Sequence, residues 1–176
     1  MAHTIVIFGA SGDLTSRKLI PALYSLFGKG RLPENTRIVG VSRSEFSHDA
    51  WRADLEQTSR KYLDKEFDEA SWRDFAARIY YQAGDIQQAS DFAALAVMLN
   101  EIEEGQRCTR LYYLSTSPHL YPAAVEALGS SGLADESNGE RRIVVEKPFG
   151  TDLATAESLN KTLHGVFKER QVYRID

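Results

Sequence analysis

Short apolar runs alternate with longer segments of helical periodicity along the whole chain. The runs are nearly continuous in isoleucine, valine, leucine and tyrosine, which is typical of strands buried on both faces of a parallel sheet. They occupy residues 4–8, 37–41, 78–81, 111–114, 142–145 and 172–175. The pattern therefore predicts six strands.

In the segments between these runs, apolar residues recur at spacings of three and four, which predicts helices that bury one face. Clear stripes cover residues 17–27, 90–102 and 152–167, and the interval between the second and third strands has room for helices at 47–63 and 68–77. Pro21 interrupts the first stripe and predicts a kink or an irregular first turn. Gly28 and Gly30 are expected to end that helix, and Thr151 to cap the last one.

Strands that alternate with helices form βαβ units, whose right-handed crossovers place helices on both faces of the sheet. We therefore predict an α/β fold with a doubly wound, mostly parallel six-stranded sheet in the strand order 3-2-1-4-5-6 of dinucleotide-binding domains. The 176 residues suit one domain, and residues 130–140 are predicted to form a surface loop. Ligands bind at the carboxyl edge of such sheets, where Asp176 follows the sixth strand, so we expect further residues to complete the site.

The charge balance argues against several kinds of partner. Lysine and arginine total 21 against 25 acidic residues, so neither nucleic acid nor an anionic membrane surface is expected to bind. No apolar run approaches the ~18 residues of a membrane span, and the N-terminus does not resemble a signal peptide, so a cytoplasmic protein is expected. Cys108 is expected to be a small buried residue, and the four histidines lack the spacing of a metal site.

The first candidate site directly follows the first strand and consists of Gly9, Ala10, Ser11, Gly12, Asp13 and Leu14. Glycines permit a tight turn and close approach to a diphosphate, and the helix that follows offers free N–H groups at its start. The G-x-G-x-x-G fingerprint is incomplete, because Ser11 and Leu14 replace its second and third glycines. A structural turn is the alternative, but the position after a buried first strand favours dinucleotide binding.

Arg43 stands at the end of the second strand, where a carboxylate would bind the ribose 2′-hydroxyl of NAD. An arginine there can pair with the 2′-phosphate of NADP instead. The nearest carboxylate, Glu45, follows two positions later. A solvated surface arginine is the alternative, and the sequence favours NADP.

Further candidates follow the other strands. Lys147, after the fifth strand, directs a fixed positive charge towards the ligand edge, and Pro148 makes that turn rigid. Asp85 and Ile86 follow the third strand, where a loop often packs against adenine, although an ordinary loop aspartate is as good an explanation. Residues 115–118, after the fourth strand, offer hydroxyl and N–H groups either to a cofactor or to a helix cap.

Together these stretches resemble the glucose-6-phosphate dehydrogenase family. The matching pieces occur in the family's order: G-A-S-G-D-L-T-S-R-K-L at 9–19, L-P-E-N-T-R-I-V-G-V-S-R at 32–43, L-Y-Y-L-S-T-S-P at 111–118, V-V-E-K-P-F-G-T-D-L at 144–153 and Y-R-I-D at 173–176. The match covers only the family's N-terminal Rossmann domain. The resemblance implies a larger C-terminal domain, and we expect it, with the family's catalytic histidine and the phosphate-binding residues that follow Asp176 in the family, to lie outside this chain.

The resemblance implies a role for each motif. Residues from Gly9 to Thr15 would cradle the NADP diphosphate, Arg43 would bind the 2′-phosphate, and the Asp85–Ile86 pair would line the adenosine side. Lys147 would contact both substrate and cofactor, with Pro148 setting its geometry, and Asp176 would orient the catalytic histidine. The implied reaction oxidises glucose 6-phosphate at C1 by hydride transfer to NADP. The implied parent protein is a homo-oligomer, and this chain alone would bind NADP with little or no turnover.

Two other interpretations are weighed against this one. Enzymes of the glucose–fructose oxidoreductase and inositol dehydrogenase group also join such a domain to an E-K-P lysine, but their first loop carries the complete glycine pattern that Ser11 and Leu14 contradict. A non-catalytic dinucleotide-binding module would have no reason to retain both Lys147 and Asp176. The Tyr-x-x-x-Lys pair of short-chain reductases does not occur.

Overall fold

A computed structural model describes residues 2–147, 149 and 151–176. Within them, six parallel strands form one sheet: β1 Ala2–Phe8, β2 Thr36–Ser42, β3 Ile79–Ala83, β4 Cys108–Leu114, β5 Arg141–Glu146 and β6 Val172–Ile175. Their order is β3-β2-β1-β4-β5-β6, which confirms the predicted doubly wound α/β fold. Five of the predicted apolar runs lie wholly within a strand, and the run at 78–81 begins one residue before β3.

The helices lie between the strands as predicted: α1 Ile20–Gly28, α2 His48–Leu63, α3 Glu69–Ala76, α4 Ala89–Ile102, α5 Tyr121–Ser130 and α6 Leu153–Val166. A π-helical turn, Thr15–Leu19, runs into α1 and confirms the irregular start expected from Pro21. Helical backbone already begins at Asp13 and runs through this turn into α1, so the missing N–H of Pro21 falls within a continuous helix, next to the wider π-helical turn. None of the helices in the described part of the chain is long and apolar enough to span a membrane.

The cap predicted for α6 is wrong by one residue. Asp152, not Thr151, is the N-cap, and its Oδ1 accepts a hydrogen bond from the Thr155 N–H at 2.9 Å. The Thr155 hydroxyl oxygen accepts in return from the Asp152 N–H at 3.0 Å, which completes a capping box. The carboxylate is the stronger acceptor, and only at position 152 does the spacing to Thr155 permit both bonds.

Two apolar cores lie on opposite faces of the sheet. On one face, Val6 and Phe8 of β1 pack with residues of α4, α5 and α6. On the other, Ile7 of β1 packs with α1, α2 and α3, including Trp51 and Trp72. Because successive residues of β1 face opposite cores, the strand is buried on both sides, which explains its unbroken apolar run.

The amino end of the sheet holds buried polar groups that the sequence pattern did not predict. Arg110 is 7% exposed and Glu103 2% exposed, and their side chains form a bidentate ion pair with Nη2 and Oε1 2.7 Å apart. Arg141 donates to the Cys108 carbonyl at 2.6 Å. Cys108 is buried as predicted, and this burial raises the pKa of its thiol. At this end Arg110 and Arg141 are bound to partners within the fold, whereas the candidate ligand-binding residues lie at the opposite end of the sheet.

The predicted loop between α5 and β5 is confirmed, since residues 131–140 form turns without a helix or strand. It is anchored to the sheet by Leu133, which is buried and whose carbonyl accepts a hydrogen bond from the Tyr112 hydroxyl at 2.6 Å.

Candidate functional site

A cleft of about 710 Å³ opens at the carboxyl edge of the sheet. The strand order reverses between β1 and β4, so the loops after these strands leave in opposite directions and open a crevice. Four segments line the cleft: Gly9 and Ser11 after β1, residues 41–44 at the end of β2 and just beyond it, residues 84–87 after β3, and Thr116, Ser117, His119 and Leu120 after β4. The candidates Gly9, Ser11, Arg43, Asp85 and Ile86 are therefore brought together.

Gly9 fixes the path of the first loop. Its φ is +90°, and a Cβ there would lie 2.1 Å from the carbonyl oxygen of Ser115, so only glycine allows the loop to lie against the end of β4. The Gly9 and Ala10 N–H groups donate to the Val41 carbonyl at 2.9 and 3.1 Å. The Thr15 hydroxyl donates to the Gly9 carbonyl at 3.2 Å. Ala10 and Thr15 are buried, so they support the loop from behind.

The exposed side of the same loop is formed by Ser11, Gly12 and Asp13. The fold does not require glycine at position 12, because its φ lies outside the left-handed region and a Cβ would have only the Gly9 carbonyl oxygen nearby, at 3.3 Å. The missing side chain instead leaves backbone accessible at the start of the helix, which suits an anion. Leu14 is half-buried.

Arg43 projects from the loop after β2 and is exposed at the cleft. Among the residues that the structure describes, it makes no ion pair, so its guanidinium is available to a ligand. Glu45 is likewise exposed but does not line the cleft.

Two carboxylates, one in the loop and one in α4, fix the backbone of the loop after β3. Asp85 Oδ1 accepts from the Gln87 N–H at 2.9 Å, and the Asp85 N–H donates to Asp91 Oδ2 at 2.8 Å. Ile86 is half-buried, packs against the core that contains Phe8, and lines the cleft. The Asp85 carboxylate thus shapes this loop, while Ile86 offers an apolar surface.

The loop after β4 does not use its hydroxyl groups as helix caps. Neither the short helical turn Pro118–Leu120 nor α5 has a side-chain cap. The Ser115 hydroxyl is buried without a hydrogen-bond partner in the described part of the chain. His119 lines the cleft. It was not predicted to do so from the sequence, because the histidines were considered only as metal ligands. Its position five residues after a buried strand was the available signal.

Lys147 and Asp176 form a second group at the same edge and do not line the cleft. The Lys147 Nζ lies 2.7 Å from Asp176 Oδ1, and the Lys147 N–H donates to the Ile175 carbonyl at 2.9 Å. Their side chains are 57% and 85% exposed. The role predicted for Pro148 falls outside the described residues.

Glu146, directly before Lys147, is held by a tyrosine. The Tyr113 hydroxyl donates to Glu146 Oε1, and burial together with this carboxylate raises the pKa of Tyr113 well above its usual value. The Tyr121 hydroxyl donates to the Glu146 carbonyl at 3.4 Å. The end of β5 is thereby fixed on two sides.

Comparisons with known proteins agree on one family. Residues 6–176 match the family model described as glucose-6-phosphate dehydrogenase, NAD binding domain. Glucose-6-phosphate 1-dehydrogenase of Aggregatibacter actinomycetemcomitans is 45% identical over 174 residues, which cover 98% of this chain and 35% of that protein. The protein of the same name from Rhizobium meliloti is 40% identical over 172 residues, covering 97% of this chain and 34% of that protein.

Solved structures give the same result. A glucose-6-phosphate dehydrogenase in complex with its substrate glucose-6-phosphate has a TM-score of 0.87 at 32% identity, covering 99% of this chain and 36% of that one. Glucose-6-phosphate 1-dehydrogenase from Mycobacterium avium has a TM-score of 0.86 at 31% identity, covering 100% and 36%. The resemblance based on the motifs is confirmed, and the chain spans about a third of the length of these relatives.

Proposed function

This chain belongs to the glucose-6-phosphate dehydrogenase family, as its nicotinamide-dinucleotide-binding domain, and we propose that its cleft binds NADP in preference to NAD. The observation that carries the proposal is the position of Arg43, exposed and without an ion-pair partner among the described residues, in the same cleft as the glycine loop. The whole protein, we further propose, oxidises glucose 6-phosphate at C1 to the 6-phosphoglucono-lactone.

The donor set of the cleft fits a dinucleotide. Backbone N–H groups at the start of the first helix suit a diphosphate, with Gly12 leaving room for its approach. The Arg43 guanidinium suits a 2′-phosphate through charge-assisted hydrogen bonds. Ile86 supplies an apolar wall for the adenosine side, and the unpartnered Ser115 hydroxyl is a buried polar group still to be satisfied.

Lys147 and Asp176 are proposed to serve the substrate side. When bound, the nicotinamide supplies the acceptor for the hydride that leaves C1 of the sugar. The Lys147 ammonium places positive charge where a substrate hydroxyl or the cofactor can reach it. Asp176 holds Lys147 through Oδ1, and a carboxylate has further acceptor positions for the N–H of an imidazole. The histidine base that this would orient is expected in the part of the family's sequence that this chain does not contain.

The relatives are about three times as long as this chain, and we propose the remaining architecture from that length. Residues 1–176 form the NADP-binding domain, and a larger C-terminal domain supplies the base and the substrate-phosphate site. The chain alone binds NADP with little or no turnover. A homo-oligomeric parent and a cytoplasmic location are likewise expected, and are checked by scattering on the whole protein and by fractionation.

Calorimetric titration of this chain with NADP and with NAD tests the proposal. Arg43→Ala should weaken NADP binding by roughly 1–3 kcal/mol through the loss of charge-assisted bonds, and leave NAD binding nearly unchanged. Arg107→Ala, which removes an exposed arginine just before β4 at the opposite end of the sheet, is the matched control. Equal weakening of both cofactors by Arg43→Ala would reject the 2′-phosphate assignment. No binding of either cofactor by folded wild type would mean that the cofactor site needs the absent domain or that the module has lost its function.

A further inference from the structure

The loop that carries Arg43 is exposed, yet its backbone is tied down next to the arginine on both sides. Residues 42–44 leave the end of β2 and cross the rim of the cleft. An arginine binds an anion well only where its backbone is already in place, since each group ordered on binding reduces affinity. What holds this loop therefore affects what Arg43 can bind.

Two groups hold it. On one side of Arg43 the Gly84 N–H donates to the Ser42 carbonyl at 2.8 Å, and on the other side the loop depends on the hydroxyl of Tyr81. The Tyr81 hydroxyl donates to the Ser44 carbonyl at 2.6 Å and lies 3.3 Å from the Ser42 carbonyl. The Ser42 hydroxyl also contacts the Tyr81 hydroxyl. Because a phenol has one hydrogen and the Ser44 carbonyl is the nearer of the two, Ser42 is the donor in this last contact. Tyr81 thus bridges the residues on either side of Arg43.

Tyr81 is itself rigidly placed. It is 4% exposed, and its ring lies 5.2 Å from the Trp51 ring and meets Phe46 edge-on at 5.3 Å, measured between centroids. Its N–H donates to His48 Nδ1 at 2.8 Å. Burial raises the pKa of the Tyr81 phenol, so the hydroxyl stays protonated and remains a donor at neutral pH. A fixed ring on β3 therefore presents a fixed donor to the loop after β2.

We propose that Tyr81 is a positioning residue for cofactor specificity, because its hydroxyl holds the Ser44 carbonyl, directly after Arg43, against the end of the sheet and so prepares the guanidinium for the 2′-phosphate of NADP. The inference rests on the proposed function of Arg43 and goes beyond it, since Tyr81 does not line the cleft. NAD has no 2′-phosphate, so its binding does not depend on where the guanidinium is held. The Tyr81 hydroxyl should therefore change the ratio of the NADP and NAD affinities.

Tyr81→Phe keeps the ring packing and removes only the hydroxyl. We expect calorimetric titration to show NADP binding weakened about three- to tenfold, in line with the loss of one well-formed hydrogen bond. NAD binding should change less than twofold. Tyr80→Phe is the matched control: the preceding residue on β3 lies against Arg52 and His48 and outside the cleft, so it should change neither affinity.

A double variant tests whether Tyr81 acts through Arg43. In an Arg43→Ala background, Tyr81→Phe should cause no further loss of NADP binding, because the interaction it supports is already gone. Additive losses would overturn the inference. So would equal weakening of NAD and NADP by Tyr81→Phe, which is the result of a purely structural role, and so would no effect on either cofactor.

The two proposals fail differently. If Arg43→Ala weakens NADP selectively and Tyr81→Phe does not, only the inference about Tyr81 is wrong. If Arg43→Ala has no selective effect, the proposed function of Arg43 is wrong and the inference falls with it. Should Tyr81→Phe melt below the assay temperature, the titrations of wild type and variant are repeated at a lower temperature at which both are folded. Selective loss of NADP binding there supports the inference, and an equal or absent effect overturns it.

Discussion

Alanine substitutions of Gly9 and Gly12 in the first loop should have different effects. The first should lower the stability of the fold, and the second should lower the affinity for the cofactor. Gly9→Ala forces a side chain into a backbone conformation with a φ of +90° and places a Cβ 2.1 Å from the Ser115 carbonyl oxygen. That carbonyl has little room to move, because the Ser115 N–H is bonded to the Phe8 carbonyl at 2.8 Å. The strain is intrinsic to the fold and independent of any cofactor.

The size of the effect follows from two contributions. An unfavourable positive φ in a residue with a Cβ costs about 1–3 kcal/mol. Forcing a methyl group into a filled space costs about 1–3 kcal/mol more. A loss near 4 kcal/mol would lower the melting temperature of a domain of this size by about 8–16 °C. Differential scanning calorimetry without cofactor measures it directly.

Gly12→Ala is the matched control for stability and the test for binding. Its Cβ would meet only the Gly9 carbonyl oxygen, at 3.3 Å, and its φ is not in the left-handed region. We therefore expect the melting temperature to change by less than about 3 °C, corresponding to less than about 1 kcal/mol. The added methyl group lies where a diphosphate would approach, so NADP affinity should fall. A Gly9→Ala variant that melts within 2 °C of wild type would refute the reasoning, as would unchanged NADP affinity in Gly12→Ala.

Three further predictions concern charged groups. Glu103→Leu leaves Arg110 buried without its partner and should lower the free energy of unfolding by about 3–5 kcal/mol. Adding Arg110→Met should recover most of this loss. Chemical denaturation of the single and the double variant measures both changes. Hydrogen bonds from the Arg174 guanidinium and from the His164 ring hold the pKa of Glu169 at about 2, below its usual 4.5. The ionised carboxylate therefore stabilises the fold above pH 4.5 and loses this effect as the pH falls towards 2. The difference in melting temperature between wild type and Glu169→Gln should vanish over that range. In the full-length enzyme, Lys147→Ala should lower kcat/KM for glucose 6-phosphate with the fold intact. The control Lys161→Ala, on the exposed side of α6, should leave kcat/KM unchanged. Equal values in wild type and Lys147→Ala would show that Lys147 has no role in the reaction.

The sheet could be predicted from the sequence because burial on both faces leaves a strong pattern. Each strand of the described residues overlaps one of the six apolar runs, and the order follows from the handedness of the crossovers. Details that depend on single side chains were harder to predict from the sequence. Thr151 and Asp152 are both good N-caps by residue type, and only the position of Thr155 relative to each decides between them.

The site was predictable where a residue's place along a strand determines its role. Arg43 and the glycine loop were identified in this way, and the structure brings them into one cleft. Tyr81 could not be identified in the same way, because a tyrosine within an apolar run is predicted to be an ordinary core residue. The partners of its hydroxyl are backbone carbonyls some 37 residues earlier in the chain, and backbone atoms leave no trace in a sequence pattern.

The contact between Lys147 and Asp176 follows from the register of the sheet. Glu146 on β5 pairs with Ile175 on β6, so the next residue of each strand emerges beside the other at the ligand edge. The two side chains were assigned separate roles from the sequence, but a pair 2.7 Å apart does not act separately. Removing the lysine also removes the cation next to the carboxylate, and changes how that carboxylate can orient an imidazole. The kinetic losses of Lys147→Ala and Asp176→Asn in the full-length enzyme should therefore be non-additive in the double variant, since residues in direct contact couple energetically.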